Sequence, residues 1–309
     1  MIKLKKCLVV YNPNSGKYNK KETLPNIKKI LEEYNYEVDI KETGSKGDAT
    51  SIVAKYPSCD LLISIGGDGT FNESVMGNYM RSKRLVCAHI PCGTTNDIGV
   101  MMGYGKNMIG NLKLTLEGVV KNVDICLING RPFIYVAGIG KFTDIAYETP
   151  RELKKRLGYL AYLREGVKSF FDKTKLNEII YEVDGVEYRG LFSFIIVSSA
   201  NRISGINNFY RDVKLDDNKF EVLLCNICKK KDIIRSLYFL TMYDVHKVPG
   251  IYSYKANKLK IKFVKKPKKP WCIDGEKLDK IVKDYEITID RDIQMMIPRK
   301  NINKLFVNK

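Results

Sequence analysis

The 309 residues carry 53 Lys and Arg against 35 Asp and Glu, a formal charge of +18 at pH 7, and are 44% hydrophobic. That is apolar material for one large or two medium domains, yet no stretch approaches the roughly 18–20 uninterrupted apolar residues of a membrane span, and Met1-Ile2-Lys3-Leu4-Lys5-Lys6 runs into a strand without the apolar region of a secretion signal. A cytoplasmic protein is expected, with a positive field that attracts nucleotides, nucleic acid or anionic lipid surfaces without choosing among them.

Taken in chain order, the first part alternates strands and helices: strand 7–11, helix 23–34 with Ile27, Ile30 and Leu31 on one side, strand 37–40, helix 49–56, strand 61–65, helix 71–80 and strand 85–90. Such alternation predicts a doubly wound, mostly parallel α/β sheet. From about Val123 strands dominate, at 124–128, 133–137, 179–183, 191–198, 220–224, 259–264 and 285–289, with helices at 152–171 and 232–246. This half reads as an antiparallel β-sandwich. The expected division is an α/β domain at 1–125, completed by 293–309, and a β-sandwich at 126–292. Eight cysteines in such a chain are expected to be reduced. Cys225 and Cys228 form one CxxC pair, but there is no second pair and the histidines are His89 and His246, so strand cysteines are expected rather than a zinc site.

Three polar turns follow successive strands at the edge of an open α/β sheet where ligands collect. Gly66-Gly67-Asp68-Gly69-Thr70 lies between a strand and a helix, so its backbone N–H groups can converge on a phosphate at the helix N-terminus. A carboxylate among phosphates is tolerable when it holds a cation, which makes Asp68 the first candidate for organising Mg²⁺, directly or through water. Asn12-Pro13-Asn14-Ser15-Gly16-Lys17 follows the first strand and lacks the spacing of a Walker A loop. Pro91-Cys92-Gly93-Thr94-Thr95-Asn96-Asp97 follows a third strand. Each alone is compatible with an ordinary turn, but their recurrence at successive strand ends favours one shared phosphate site.

These turns resemble the diacylglycerol kinase catalytic domain: Asn-Pro-x-Ser-Gly, Gly-Gly-Asp-Gly-Thr and Pro-x-Gly-Thr-x-Asn-Asp, with the soluble bacterial diacylglycerol kinases as the nearest match. The resemblance continues in order through Val123-Asp124-Ile125, Tyr147-Glu148-Thr149-Pro150, Lys214-Leu215-Asp216-Asp217 and Asp274-Gly275-Glu276. It implies an ATP-dependent lipid kinase converting diacylglycerol to phosphatidic acid, with ATP between two domains. Asn12, Pro13, Asn14, Ser15, Gly16, Thr43, Gly66, Gly67, Asp68, Gly69, Thr70, Asn72, Glu73, Gly93 and Thr94 would then surround the nucleotide, and Asp68, Asp97 and Asp124 would form the catalytic Mg²⁺ and water network. Phosphoryl transfer suits such a set, because it needs positioning and charge neutralisation more than covalent chemistry. The resemblance also implies that the Asp274-Gly275-Glu276 turn supplies the group that accepts the lipid hydroxyl's proton; Glu276 and Asp274 stand together here, one as base and the other as orienter. It further implies a structural Mg²⁺ held by the Asp217 carboxylate and the carbonyls of Lys214 and Lys219, although two ammonium groups nearby should weaken it.

The chain departs from the family pattern after Asn96-Asp97, where Ile98-Gly99-Val100 replaces a small residue followed by a basic one. Phosphate contacts of that basic residue, an Arg in the family, must come from elsewhere, with Lys17 as the candidate. Lys255, Lys258, Lys260, Lys262, Lys265, Lys266, Lys268 and Lys269 form a run free of acidic residues; peripheral docking on an anionic membrane and a solvated strand edge both account for it. An NAD kinase shares Gly-Gly-Asp-Gly-Thr and Asn72-Glu73 but not the Asn-Pro-Asn-Ser-Gly or Asp-Gly-Glu segments. The acceptor alternatives within lipid kinases are a sphingoid base or a polyprenol. A non-catalytic nucleotide-binding regulator is a further reading. No nucleic-acid signature is present, no nucleic-acid partner is expected, and a homodimer is allowed.

Overall fold

The structure, a computed structural model, describes residues 4–16, 20–140, 176–200, 202, 210, 212–227 and 248–307. The expected helices at 152–171 and 232–246, together with Lys17, Tyr147, Glu148, Thr149, Pro150 and Cys228, lie outside these residues. The chain forms two compact units, Met1–Asp124 with Arg291–Lys309, and Ile125–Asp290.

In the first unit the strands β1 (Lys5–Tyr11), β2 (Tyr36–Glu42), β3 (Leu61–Gly66) and β4 (Val86–Pro91) pair in parallel in the order β2-β1-β3-β4. Every position of β3 is buried, as a strand covered on both faces requires. Five helices accompany them: α1 (Lys20–Glu33), α2 (Asp48–Lys55), α3 (Asp68–Tyr79), α4 (Asp97–Met101) and α5 (Met108–Leu116). Alternate strand residues face opposite sides. Val9, Ile63, Ile65 and Ile90 pack with Ile27 and Leu31 of α1 and Leu112 of α5. On the other side Ser74 of α3 donates to Ser64 Oγ at 3.2 Å, and Phe71 stacks on His89 with ring centroids 4.6 Å apart.

His89 is fully buried, and burial drives its imidazole down to about 3, against a smaller upward pull from the Ser64 backbone. Because the folded value lies below the ordinary 6.5, the unfolded chain binds the extra proton first. The contribution is therefore complete above about pH 6.5 and is lost as the pH falls towards 3. His89→Leu is expected to flatten the decline of urea stability between pH 6.5 and 4; an unchanged decline would exclude His89 as its source.

The second unit contains β6 (Arg131–Phe133), β7 (Val136–Gly140), β8 (Asn177–Val183), β9 (Val186–Phe192), β10 (Phe194–Ser198), β11 (Phe220–Cys225), β12 (Ile251–Ala256), β13 (Leu259–Phe263), β14 (Cys272–Ile273) and β15 (Glu276–Lys277), and shares β5 (Val119–Ile128) and β16 (Asp284–Ile297) with the first. β16, β13, β8 and β9 pair in that order, with β5 and β6 attached, and β12-β11-β10-β7-β14-β15 form a separate antiparallel sheet. Phe133, Val197, Val222, Leu224, Ile261, Trp271 and Ile287 pack into one core, as stacked sheets require. The last residues of β16 return to the first unit, where Met295 lies parallel to Cys87 of β4. A 3-10 turn (Arg299–Asn301) and α6 (Ile302–Leu305) follow, with Leu305 and Phe306 buried. The fold is thus an α/β unit combined with an antiparallel β unit, and no helix among the described residues is long and apolar enough to cross a membrane.

Several expected boundaries are corrected. The helix expected at 71–80 begins at Asp68, with Gly67 as its extended N-cap. Gly69 is a poor helix former, yet first-turn N–H groups need no partner one turn back, and Asp68 suits the positive end. The stretches 133–137 and 191–198 each divide into two strands because the chain changes sheet, at Ile134–Tyr135 and at Ser193. Ser193 marks its corner by donating both N–H, at 2.6 Å, and Oγ, at 2.9 Å, to the Cys225 carbonyl.

Candidate functional site

The turns after β1, β3 and β4 are held together at the carboxyl ends of their strands. Asn12 accepts the Asn14 N–H at Oδ1 (2.9 Å) and donates from Nδ2 to Thr70 Oγ1 (2.9 Å), so its side chain fixes its own turn and ties it to the start of α3. Ser15 N–H closes the turn on the Asn12 carbonyl at 3.1 Å, and Gly16 takes a positive φ of 79°. The turns after β3 and β4 touch through glycine: a Cβ on Gly93 would meet the Gly67 Cα at 2.7 Å and Asn96 Oδ1 at 2.9 Å. Pro13, Asn14, Gly69 and Thr94 border this cluster, while Gly66 is enclosed, since a Cβ there would stand 2.6 Å from the Thr70 side chain. The N-terminal end of α3, the positive end of its dipole, opens at the same place.

Thr43 follows β2, is buried and donates its N–H to the Tyr11 carbonyl at 2.9 Å. Asn72 is buried inside α3. Glu73 accepts the Gly47 N–H at 3.0 Å, and its carbonyl accepts Thr50 Oγ1 at 3.0 Å, which ties α3 to α2. These last two residues support the helix that carries the phosphate turn.

The three aspartates differ in setting. Asp68 accepts the N–H groups of Asp97 at 2.9 Å and Ile98 at 3.3 Å, one on each carboxylate oxygen, and so caps α4. Asp68 is only half-buried at this turn, and a carboxylate beside phosphates is the chemical type that suits a hydrated Mg²⁺. Asp97 and Asp124 are both buried, and Arg291 approaches Asp124 Oδ1 with Nε at 3.1 Å. Among the described residues no three His, Cys, Asp or Glu side chains form a metal-binding group. Asp124 thus lies beside the Arg291 guanidinium, while Asp68 and Asp97 meet at the polar turns through the Asp97 N–H. Arg291 escaped the sequence reading because its partner lies far away in the chain.

The Asp274 and Glu276 turn separates its two acids. Asp274 takes a φ of 48° and accepts three main-chain N–H groups, Ile134 at Oδ2 (2.7 Å) and Tyr135 and Val136 at Oδ1 (3.1 and 3.0 Å). Its own N–H donates to the Val136 carbonyl at 2.8 Å. Burial pushes its carboxyl up to about 6, opposed by these three donors. Asp274 thus braces the corner where β6 gives way to β7. Glu276 keeps about a fifth of its side chain exposed, with Oε2 at 3.6 Å from Arg131, whose other nitrogen approaches Asp279 at 3.8 Å. Arg131 is a neighbour that no local spacing reveals.

In the loop before β11, the Asp217 carboxylate expected to hold a divalent cation is engaged by a lysine. Asp217 Oδ2 lies 2.8 Å from Lys255 Nζ, and Asp217 Oδ1 accepts the Lys219 N–H at 3.1 Å. Burial works against the Lys255 charge, but the hydrogen bond to Asp217 and the nearby carboxylates outweigh it and hold the ammonium above the usual lysine range. Glu221 is pushed up to about 7 by burial, which the attraction of Lys255 only partly offsets. Of the lysine run, Lys258 pairs with Glu286 at 2.7 Å and Lys260 with Glu182 at 3.0 Å, whereas Lys262, Lys265, Lys266, Lys268 and Lys269 are exposed.

Residues 6–128 match the Diacylglycerol kinase catalytic domain. Over nearly its whole length the chain is similar to the diacylglycerol kinases of Staphylococcus aureus strain MRSA252 (30% identical, 98% of this chain and 96% of the relative) and of Bacillus subtilis strain 168 (28% identical, 98% and 99%). A crystal structure from Bacillus anthracis strain Sterne, assigned to the diacylglycerol kinases, matches with a TM-score of 0.78 at 25% identity, covering 97% of this chain and 99% of its own. The chain is a lipid kinase that belongs to the bacterial diacylglycerol kinase family.

Proposed function

We propose that the enzyme transfers the γ-phosphoryl group of ATP to the free hydroxyl of diacylglycerol, giving phosphatidic acid and ADP. The observation that carries this is the gathering of three turns by Asn12–Thr70, Gly67–Gly93 and Asp68–α4 at the N-terminus of α3. Backbone N–H groups and the helix dipole suit nucleotide phosphates there, and the close glycines let the backbone reach them. Asp68 would hold Mg²⁺, largely through water, and the ion would neutralise phosphate charge. Glu276 takes the proton of the lipid alcohol as its oxygen bonds to the γ-phosphorus, while the bond to the β–γ bridging oxygen breaks and ADP carries away the electron pair. The acceptor follows the named relatives.

The test is transfer from γ-labelled ATP to diacylglycerol, sphingosine and polyprenol in mixed micelles. Labelled phosphatidic acid is the expected product, and labelling of another lipid alone would replace the acceptor. Gly93→Ala should weaken ATP binding at least tenfold by calorimetry, because its methyl group pushes the turn off Gly67; undiminished affinity would show that the turns need not touch. Peripheral membrane binding is assigned to Lys265, Lys266, Lys268 and Lys269. Reversing these charges should abolish sedimentation with anionic vesicles, since each lysine near such a surface contributes about 1 kcal/mol; unchanged sedimentation would refute the assignment.

A further inference from the structure

The family resemblance implies a divalent ion in the loop before β11, but the side chains there are arranged around another cation. Lys255 lies on β12 directly opposite Glu221 of β11. Its Nζ is 2.8 Å from Asp217 Oδ2, 3.0 Å from the Asp212 carbonyl oxygen and 3.7 Å from Glu221 Oε1. An ammonium has three protons to donate; two loop oxygens lie within hydrogen-bond distance and the Glu221 carboxylate of β11 adds an ion pair. We propose that the Lys255 ammonium is the resident cation of this loop and holds it closed in place of Mg²⁺.

The chemistry of the donors separates the two ions. Mg²⁺ demands near-octahedral oxygens at about 2.0–2.1 Å and gives up its waters reluctantly. The Asp217 oxygen it would need is hydrogen-bonded to an ammonium, and the other accepts the Lys219 N–H. A divalent ion bound to the same carboxylate would also repel Lys255 at close range in a poorly screened setting, since the side chains of Asp217 and Glu221 are only 15% and 8% exposed. Conversely, removing the ammonium leaves the poorly hydrated Asp217 carboxylate without its charge partner beside Glu221, which is costly. The loop is thereby fastened to the adjacent strand at a point fixed by β-ladder register, whatever the divalent-ion concentration.

Thermal unfolding of the full chain without nucleotide, in EDTA and in millimolar MgCl₂, tests this in the wild type, Lys255→Met and Asp217→Asn. The wild-type midpoint is expected to be the same in both buffers, and Lys255→Met to lower the EDTA midpoint by roughly 4–8 °C, the range for losing a partly buried ion pair in a unit of this size. A wild-type midpoint that rises with Mg²⁺ and ceases to rise in Asp217→Asn would overturn the proposal. So would an unaltered midpoint in Lys255→Met. Should Lys255→Met fail to fold, the Mg²⁺ response of the wild type against Asp217→Asn decides in the same way. Kinase activity enters none of these readings.

Discussion

Glu276→Gln is expected to slow phosphate transfer about 10²- to 10⁴-fold, the range for removing a positioned general base, while ATP affinity and the thermal midpoint remain near wild type. The carboxylate stands partly exposed at the end of a two-residue strand, and its charged neighbour Arg131 retains Asp279 when the charge is removed. Neither contact holds much of the fold, because partly exposed pairs at 3.6–3.8 Å contribute little. Single-turnover kinetics with the labelled donor make the comparison. A rate within about tenfold of wild type would take the proton-accepting role away from Glu276.

Asp274→Ala should have the opposite profile, a large loss of stability that precedes any question of catalysis. The substitution strips acceptors from three main-chain N–H groups at a buried corner, and each left unsatisfied costs about 1–3 kcal/mol. Alanine must also adopt the left-handed φ that Asp tolerates better. A net cost of about 4 kcal/mol is expected, which corresponds to roughly 8–16 °C in the midpoint of a unit this size. Asp274→Asn keeps one acceptor oxygen and the backbone preference, so it should fall between. An alanine variant with a wild-type midpoint and no activity would instead make Asp274 part of the chemistry.

The contrast between these acids shows how far the sequence carries. Asp-Gly-Glu marks a turn with two carboxylates, but their division depends on the N–H groups of residues 134–136, which lie about 140 positions away. The parallel strands β1, β3 and β4 were legible because each holds an apolar run beside helical periodicity, as Leu61–Gly66 does. The sheet-switching corners were not, since Phe133–Ala137 and Leu191–Ser198 are hydrophobic on both sides of the break. β16 was read as 285–289 because Asp290-Arg291-Asp292 resembles a loop, yet the strand continues with Ile293, Met295 and Ile297 buried in alternation. α4 and α5 were missed as short helices without a long apolar stripe, although Asn107, whose side chain accepts the Gly110 N–H at 3.2 Å, is a legible cap. The three polar turns stood out at their strand ends; their mutual contacts required coordinates.

The route of β5 out of the first unit and of β16 back into it has a consequence for synthesis. The strand that borders β4, and the Leu305 and Phe306 side chains, are translated after the whole of Ile125–Asp290. On the ribosome, the second unit emerges in full while the parallel sheet still lacks its neighbour at β4, so nascent-chain folding should begin in the later-emerging unit or wait. The phosphate turns would then acquire a complete scaffold only after residues 291–307 leave the tunnel, which leaves an apolar sheet edge exposed to chaperones during that interval.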